Sequence, residues 1–246
     1  MKLRAKVAYD GTNFYGFQKQ SNHRSVQEEI ETALEKISGR PVAVIGAGRT
    51  DTGVHATGQV VGFELEWRHS LDALVRALNI HLAEDVAVSE ITECAERFHP
   101  RFSAISRTYE YTILMTKVRQ PLRERTAWQV EQELDVEKMN EGARALIGEH
   151  DFAAFGSAPS GREEESTVRE VFRAEWRTAR ADELKFLIEA NAFLYRMARR
   201  IVLVLERVGQ GQFSPNDVTE ILKSKDANRI RGLAPACGLC LVDVKY

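Results

Sequence analysis

Residues 42–67 read Val42-Ala43-Val44-Ile45-Gly46-Ala47-Gly48-Arg49-Thr50-Asp51-Thr52-Gly53-Val54-His55-Ala56-Thr57-Gly58-Gln59-Val60-Val61-Gly62-Phe63-Glu64-Leu65-Glu66-Trp67. The apolar run Val42 to Ile45 predicts a short strand. From Val60 to Trp67 the side chains Val61, Phe63, Leu65 and Trp67 alternate with Gly62, Glu64 and Glu66, a strand with one wet face. Between them lies a loop that carries glycines, Arg49, Asp51 and His55. Glycine lets a backbone turn sharply and approach other groups closely, and loops on rigid scaffolds often carry function.

Outward from this unit, Leu3 to Tyr9 alternates apolar and polar residues as a half-buried strand. Ser25 with Glu28 makes a capping box for a helix whose stripe is Val26, Ile30, Ala33, Leu34 and Ile37, and Gly39 ends it. Ser70 caps a second helix with Leu71, Leu74, Val75 and Leu78, and Val86 to Ile91 is a further strand. The order strand, helix, strand, strand, helix, strand predicts an α+β, ferredoxin-like (RRM-like) half with two helices on one face of an antiparallel sheet. The rest echoes it loosely: a strand at Thr108 to Met115, a helix at Val136 to Ile147, a hairpin from Val168 to Arg177 and Leu184 to Ala190, helices from Phe193 to Gly209 and from Ser214 to Leu222, and a closing strand at Gly238 to Lys245. The polar stretch Ser157 to Ser166 reads as a mobile loop. The expectation is two halves, 1–105 with the Asp51 loop and 106–246.

Composition narrows the function classes. With 43% apolar and 28% charged residues the chain is ordinary for a soluble globular protein. No apolar run approaches the ~20 residues that span a bilayer. The N-terminus runs straight into a strand pattern without a signal peptide, and three cysteines argue against a disulfide framework. The expected compartment is the cytoplasm, with no membrane partner. The net charge of −2 hides an uneven distribution. Seven Lys/Arg against two Glu lie from Arg97 to Arg125, and four Arg against one Glu from Leu194 to Gln210. Such a chain offers a basic face to phosphates; clustering on solvated faces is the alternative.

The loop excludes two lookalikes. Gly46-x-Gly48 begins a dinucleotide fingerprint, but Asp51 stands where the third glycine belongs. Gly48 to Gly53 has the spacing of a Walker A loop, but Val54-His55 replaces the lysine and hydroxyl residue, so the phosphate cradle fails. Asp51 and His55 lack a third and fourth ligand, so no metal is expected. Spacing alone leaves two readings open: a structural turn in which Asp51 caps and pairs with Arg49, or a functional carboxylate.

Gly48-Arg49-Thr50-Asp51-x-Gly53-Val54-His55-Ala56 resembles the signature of the bacterial tRNA pseudouridine synthase A family. Tyr9-Asp10-Gly11-Thr12, Gly16-Phe17-Gln18-x-Gln20, Ser25-Val26-Gln27, Gly58-Gln59-Val60-Val61, Leu78-Asn79, Phe98-His99-x-Arg101-Phe102-Ser103-Ala104 and Arg107-x-Tyr109-x-Tyr111 follow in family order. So do Gly148-Glu149-His150-Asp151-Phe152, Ala190-Asn191-Ala192-Phe193-Leu194-x-x-Met197-x-Arg199 and Ala234-Pro235-x-x-Gly238-Leu239. The likeness covers essentially the whole chain.

The resemblance implies an isomerase that converts uridines at the positions conventionally numbered 38, 39 and 40 of the tRNA anticodon stem-loop into pseudouridine, with neither cofactor nor metal. It implies halves sharing a mainly antiparallel sheet with the active-site cleft between them, and a homodimer. Asp51 maps onto the nucleophilic aspartate, Arg199 onto the arginine that pairs with it, and Tyr109 onto the tyrosine that packs against the uracil. Arg49, beside the nucleophile, is assigned to base flipping or a phosphate contact. Tyr111 reads as core and His55 as scaffold. By charge alone, Arg119, Arg123, Arg196 and Arg200, with Lys117 and Arg125, are candidate phosphate contacts. Four positions depart from the family pattern: Thr52 for alanine, Phe17 for tryptophan, Pro100 for alanine, and Cys240 for an aromatic. The alternatives are an inactive tRNA-binding relative, which would lack the aspartate, and a phosphate-loop or metal hydrolase, which would need a lysine or ligand set.

Overall fold

The computed structural model describes residues 1–158 and 166–246, so most of the polar stretch read as a loop, including its glutamate run, lies outside the described residues. The chain divides into two compact units, Met1–Ile105 with Cys240–Tyr246, and Ser106–Leu239.

In the first unit the expected element order appears. Strand β1 (Lys2–Tyr9) is followed by helix α1 (Val26–Ser38), β2 (Ile45–Gly46), β3 (His55–Glu64), α2 (Leu71–His81) and β4 (Val86–Glu93). Perfect alternation along β1 buries Leu3, Ala5, Val7 and Tyr9. The helices start where polar side chains cap them: Ser25 accepts from Glu28 N–H and Ser70 from Ala73 N–H. α1 ends at Gly39 in the left-handed region, φ 70°. β1 is the hub, antiparallel to β3 on one side and to β4 on the other.

Boundaries differ from expectation: β3 ends at Glu64 and not at Trp67, β4 runs on to Glu93, and the largest differences flank the loop. The run Val42 to Ile45 supplies only the two-residue β2. Its apolar side chains Val42 and Val44 are buried, but only Ile45 and Gly46 pair, with Gly62 and Val61. β3 begins at His55, inside the loop motif, so the loop is shorter than its sequence suggests.

The second unit holds β5 (Ser106–Met115), β6 (Trp128–Val130), α3 (Val136–Arg144), β7 (Gly148–Asp151), β8 (Val168–Arg180), β9 (Glu183–Ala190), α4 (Met197–Gly209) and α5 (Pro215–Ser224). Strands run β5-β9-β8-β7, all antiparallel, and β6 adds a short parallel pairing to β5. α3 packs against α4 and α5. Both units are therefore α+β. The last strand, β10 (Leu239–Lys245), brings Cys240 and Leu241 into parallel register with His55 and Ala56 of β3. Among the described residues no helix is long and apolar enough to cross a membrane.

Candidate functional site

The Asp51 loop is built by close packing of backbone on backbone. Gly16, at φ 92°, lies so near that a Cβ there would sit 2.6 Å from the Thr50 carbonyl oxygen. Phe17 N–H donates to that same carbonyl at 3.1 Å, and Gly53 N–H donates to the Phe14 carbonyl at 3.3 Å. Val54 N–H donates back to the Asp51 carbonyl at 3.1 Å, closing a turn around the aspartate. The loop Phe14–Phe17 is thus one wall of the motif, and the Phe17 ring, 3% exposed, occupies the space where a Gly46 side chain would be. Phe17 therefore keeps the packing role of a ring at that position. At least this loop glycine admits a neighbour's ring and not a substrate.

Arg24 anchors that wall. Its guanidinium donates to both oxygens of Asp85 at 2.6 and 2.8 Å, to Glu29 at 3.3 Å, and stacks 4.1 Å above the Phe14 ring. A bidentate pair with a cation–π contact is a geometry that arginine alone provides.

His55 is buried. Its Nδ1 accepts from Gly11 N–H at 3.0 Å and lies 3.2 Å from an Asp10 carboxylate oxygen. That is the scaffold role expected of it. Asp51 is half-buried, and its neighbours Arg49 and Thr52 are exposed. Asp51 thus stands between buried Thr50 and exposed Thr52, on a rigid base.

One group was not apparent from the sequence. Tyr9 (4% exposed), Thr50 (6%) and Gln59 (0%) form a buried polar set beneath the loop. The signal available was a glutamine beside a Val-Val pair at a position that strand alternation makes internal.

In the second unit, Tyr109 lies on β5, buried, edge-on to Phe193 with ring centroids 4.9 Å apart. Tyr111 shares its strand face and is core, with no exposed surface. Its hydroxyl donates to the Pro235 carbonyl at 2.8 Å, and burial holds its pKa well above the ordinary phenol value. Arg199 projects from the first turn of α4, half-buried, and its Nε donates to the Ala234 carbonyl at 2.8 Å.

The charge-only candidates separate into two kinds. Arg123 is bound to Asp182 at 2.8 Å and to Glu183, and Arg119 to Glu124 at 3.0 Å. Arg196 and Arg200 sit together at the start of α4, where among the described residues no carboxylate pairs with either. Arg196 lies over the exposed Tyr195 ring, 4.7 Å to its centroid. Burial, and then repulsion by Arg196, lower the pKa of Arg200.

A family model described as tRNA pseudouridine synthase matches residues 5–103 and 143–246, a span that includes Asp51 and Arg199. The chain belongs to the tRNA pseudouridine synthase family. It is 40% identical over 240 residues to the tRNA pseudouridine synthase A of a Thermoanaerobacter species, covering 98% of this chain and 97% of that one. The Limosilactobacillus fermentum enzyme of that name is 41% identical, covering 100% and 96%, and the Listeria innocua one 38%, covering 100% and 99%. A crystal structure of an archaeal box H/ACA ribonucleoprotein complex is similar at a TM-score of 0.36 and 10% identity, over 98% of this chain and 46% of that one. Pseudouridine synthases are isomerases, and the Asp51 loop lies within the first of the two matched spans.

Proposed function

We propose that this protein isomerises uridines 38, 39 and 40 of the tRNA anticodon stem-loop to pseudouridine, with Asp51 as nucleophile. Family membership supports the reaction and the substrate. The observation that carries the nucleophile is that the one carboxylate of the loop Gly48–Ala56 is half-buried, with backbone bonds to the carbonyls of Thr50 and of Asp51 itself holding the chain there. A carboxylate so placed can form a covalent intermediate. In the net reaction the C1′–N1 bond breaks, the uracil turns, C1′ bonds to C5, and the C5 proton passes to solvent while N1 gains one. Product and substrate are isomers, so no oxidant or co-substrate is required.

A base within a stem must leave the stack to be reached. Arg49, exposed beside Asp51, is assigned to that step or to an adjacent phosphate. Tyr109 and Arg199 keep the roles that the resemblance implies. An aromatic ring against the flipped base supplies about 1–3 kcal/mol. Arg196 and Arg200 are the leading phosphate contacts; Arg119 and Arg123, already paired, contribute less. The resemblance also supports a cytoplasmic homodimer, and light scattering that gives a monomer mass at micromolar concentration would remove the dimer.

The deciding experiment uses tRNA carrying tritium at C5 of uridine. The wild-type protein releases tritium, and Asp51→Asn loses on the order of 10⁴-fold or more in rate while still binding tRNA. A wild-type protein that binds tRNA and releases nothing would be an inactive relative and would sink the proposal. Full turnover by Arg199→Ala would remove that residue from the mechanism.

A further inference from the structure

The strongest unassigned feature is the polar set under the loop. β1 and β3 slip register between Val7 and Tyr9: Val7 faces Gln59 while Tyr9 faces Ala56, three steps on β3 against two on β1. Such irregularities re-aim side chains beside functional loops. Gln59, at the edge of the slip, keeps the inward side of Val61 and Phe63 and is fully buried. Gln59 Nε2 is thereby brought to donate to the Gly48 carbonyl at 3.0 Å and toward the Tyr9 hydroxyl at 3.4 Å. The Tyr9 hydroxyl lies 2.8 Å from Thr50 Oγ1. Gln59 Oε1 accepts from Val60 N–H at 3.2 Å, so the amide is used at both ends.

We propose that Tyr9, Thr50 and Gln59 are positioning residues for Asp51: through the Gly48 carbonyl and the Thr50 side chain they fix the backbone on both sides of Arg49 and so fix the carboxylate. This rests on the reading of Asp51 as nucleophile. An unbonded amide or hydroxyl in a strand core is costly, and a satisfied one specifies a single geometry. Burial pushes the Tyr9 phenol up to about 12, against the opposing pull of its bonds to Thr50 and Gln59, so the hydroxyl keeps its proton throughout the working pH range. The brace is therefore pH-independent. Together with the Phe17 and Val54 amides on the Thr50 and Asp51 carbonyls, it leaves the loop little freedom near its carboxylate.

The test removes hydroxyls and keeps shape. Tyr9→Phe and Thr50→Val should each lower single-turnover tritium release about 10–100-fold, the cost of an ångström-scale misplacement. Affinity for tRNA should stay within about twofold, a split that a general loss of folding would not produce. Thr50→Ser should restore most of the rate, and the Tyr9→Phe/Thr50→Val double variant should be no slower than the worse single. If Tyr9→Phe does not fold, the contrast between Thr50→Val and Thr50→Ser decides alone. Wild-type rates in Tyr9→Phe and Thr50→Val beside an inactive Asp51→Asn would overturn the positioning inference only. An active Asp51→Asn would overturn the nucleophile and the inference with it. Additive losses in the double variant, or equal losses in affinity and rate, would also overturn it.

Discussion

Helices α1 and α4 have the same length, 13 residues each, and opposite electrostatics. α1 begins at a Ser25 cap, carries Glu28 and Glu29 in its first turn and Lys36 in its last, and stops at Gly39. Each choice complements the helix dipole, positive at the N-terminus and negative at the C-terminus. α4 begins at Met197, behind Arg196 held at φ 63°, with no side-chain cap among the described residues. Arg199 and Arg200 follow in its first turn, against the positive end of the dipole. Near its other end Glu206 is buried, 4% exposed, and desolvation raises its pKa from 4.5 to about 7 despite Arg207 and a bond from Gln210. α1 is built for stability. α4 gathers positive charge at the end where the dipole is already positive, and relies on packing: Ile201, Val202, Val204, Leu205 and Val208 have no exposed surface.

Reversing the charge placement on α4 would break this contrast, and the largest effect lies at its buried end. The folded chain holds the Glu206 proton up to about pH 7, whereas an unfolded chain releases it near the ordinary 4.5. The contribution is complete below about pH 4.5 and is lost as pH rises through about 7. Glu206→Gln should therefore flatten the fall in stability across that interval and stabilise the protein at pH 8 by about 2–3 kcal/mol in urea unfolding. An unchanged pH dependence would place the ionisation elsewhere. Next in size are the arginines. Arg200→Gln and Arg196→Asn, the latter because asparagine tolerates positive φ, should each weaken tRNA binding about tenfold. Each should also reduce the salt slope of affinity by about one unit, as loss of a phosphate contact requires. Equal affinities at all salt concentrations would assign the pair to structure alone. The smallest effect sharpens the comparison from the other side. Ser25→Ala should cost about 1 kcal/mol of stability and leave tRNA affinity untouched.

How legible each region was in the sequence follows the same division. α1 was readable to within a residue, because its cap, stripe and stop are local chemistry. The helix expected from Phe193 begins only at Met197, because the left-handed Arg196 carries no signal in its residue type. The site was partly legible. The motif located Asp51, but charge could not tell Arg123, gripped by Asp182 and Glu183, from Arg200, which among the described residues has no carboxylate paired with it. Alternation places Gln59 inside, but its partners, the Gly48 carbonyl and the Tyr9 hydroxyl, lie 11 and 50 positions away and are not written in the strand's own pattern.

By itself the sequence determined the α+β class, the order of elements, the family and the loop that carries Asp51, since these depend on periodicity, capping and an ordered set of motifs, all written locally. Tertiary structure decided the rest. It returned Cys240–Tyr246 to the first unit beside β3, seated Phe17 on Gly46, and gathered Tyr9, Thr50 and Gln59 under the loop. The physical reason is common to all three. Each depends on which backbone groups and side chains, 29 to 50 positions apart or at opposite ends of the chain, find partners once water is excluded.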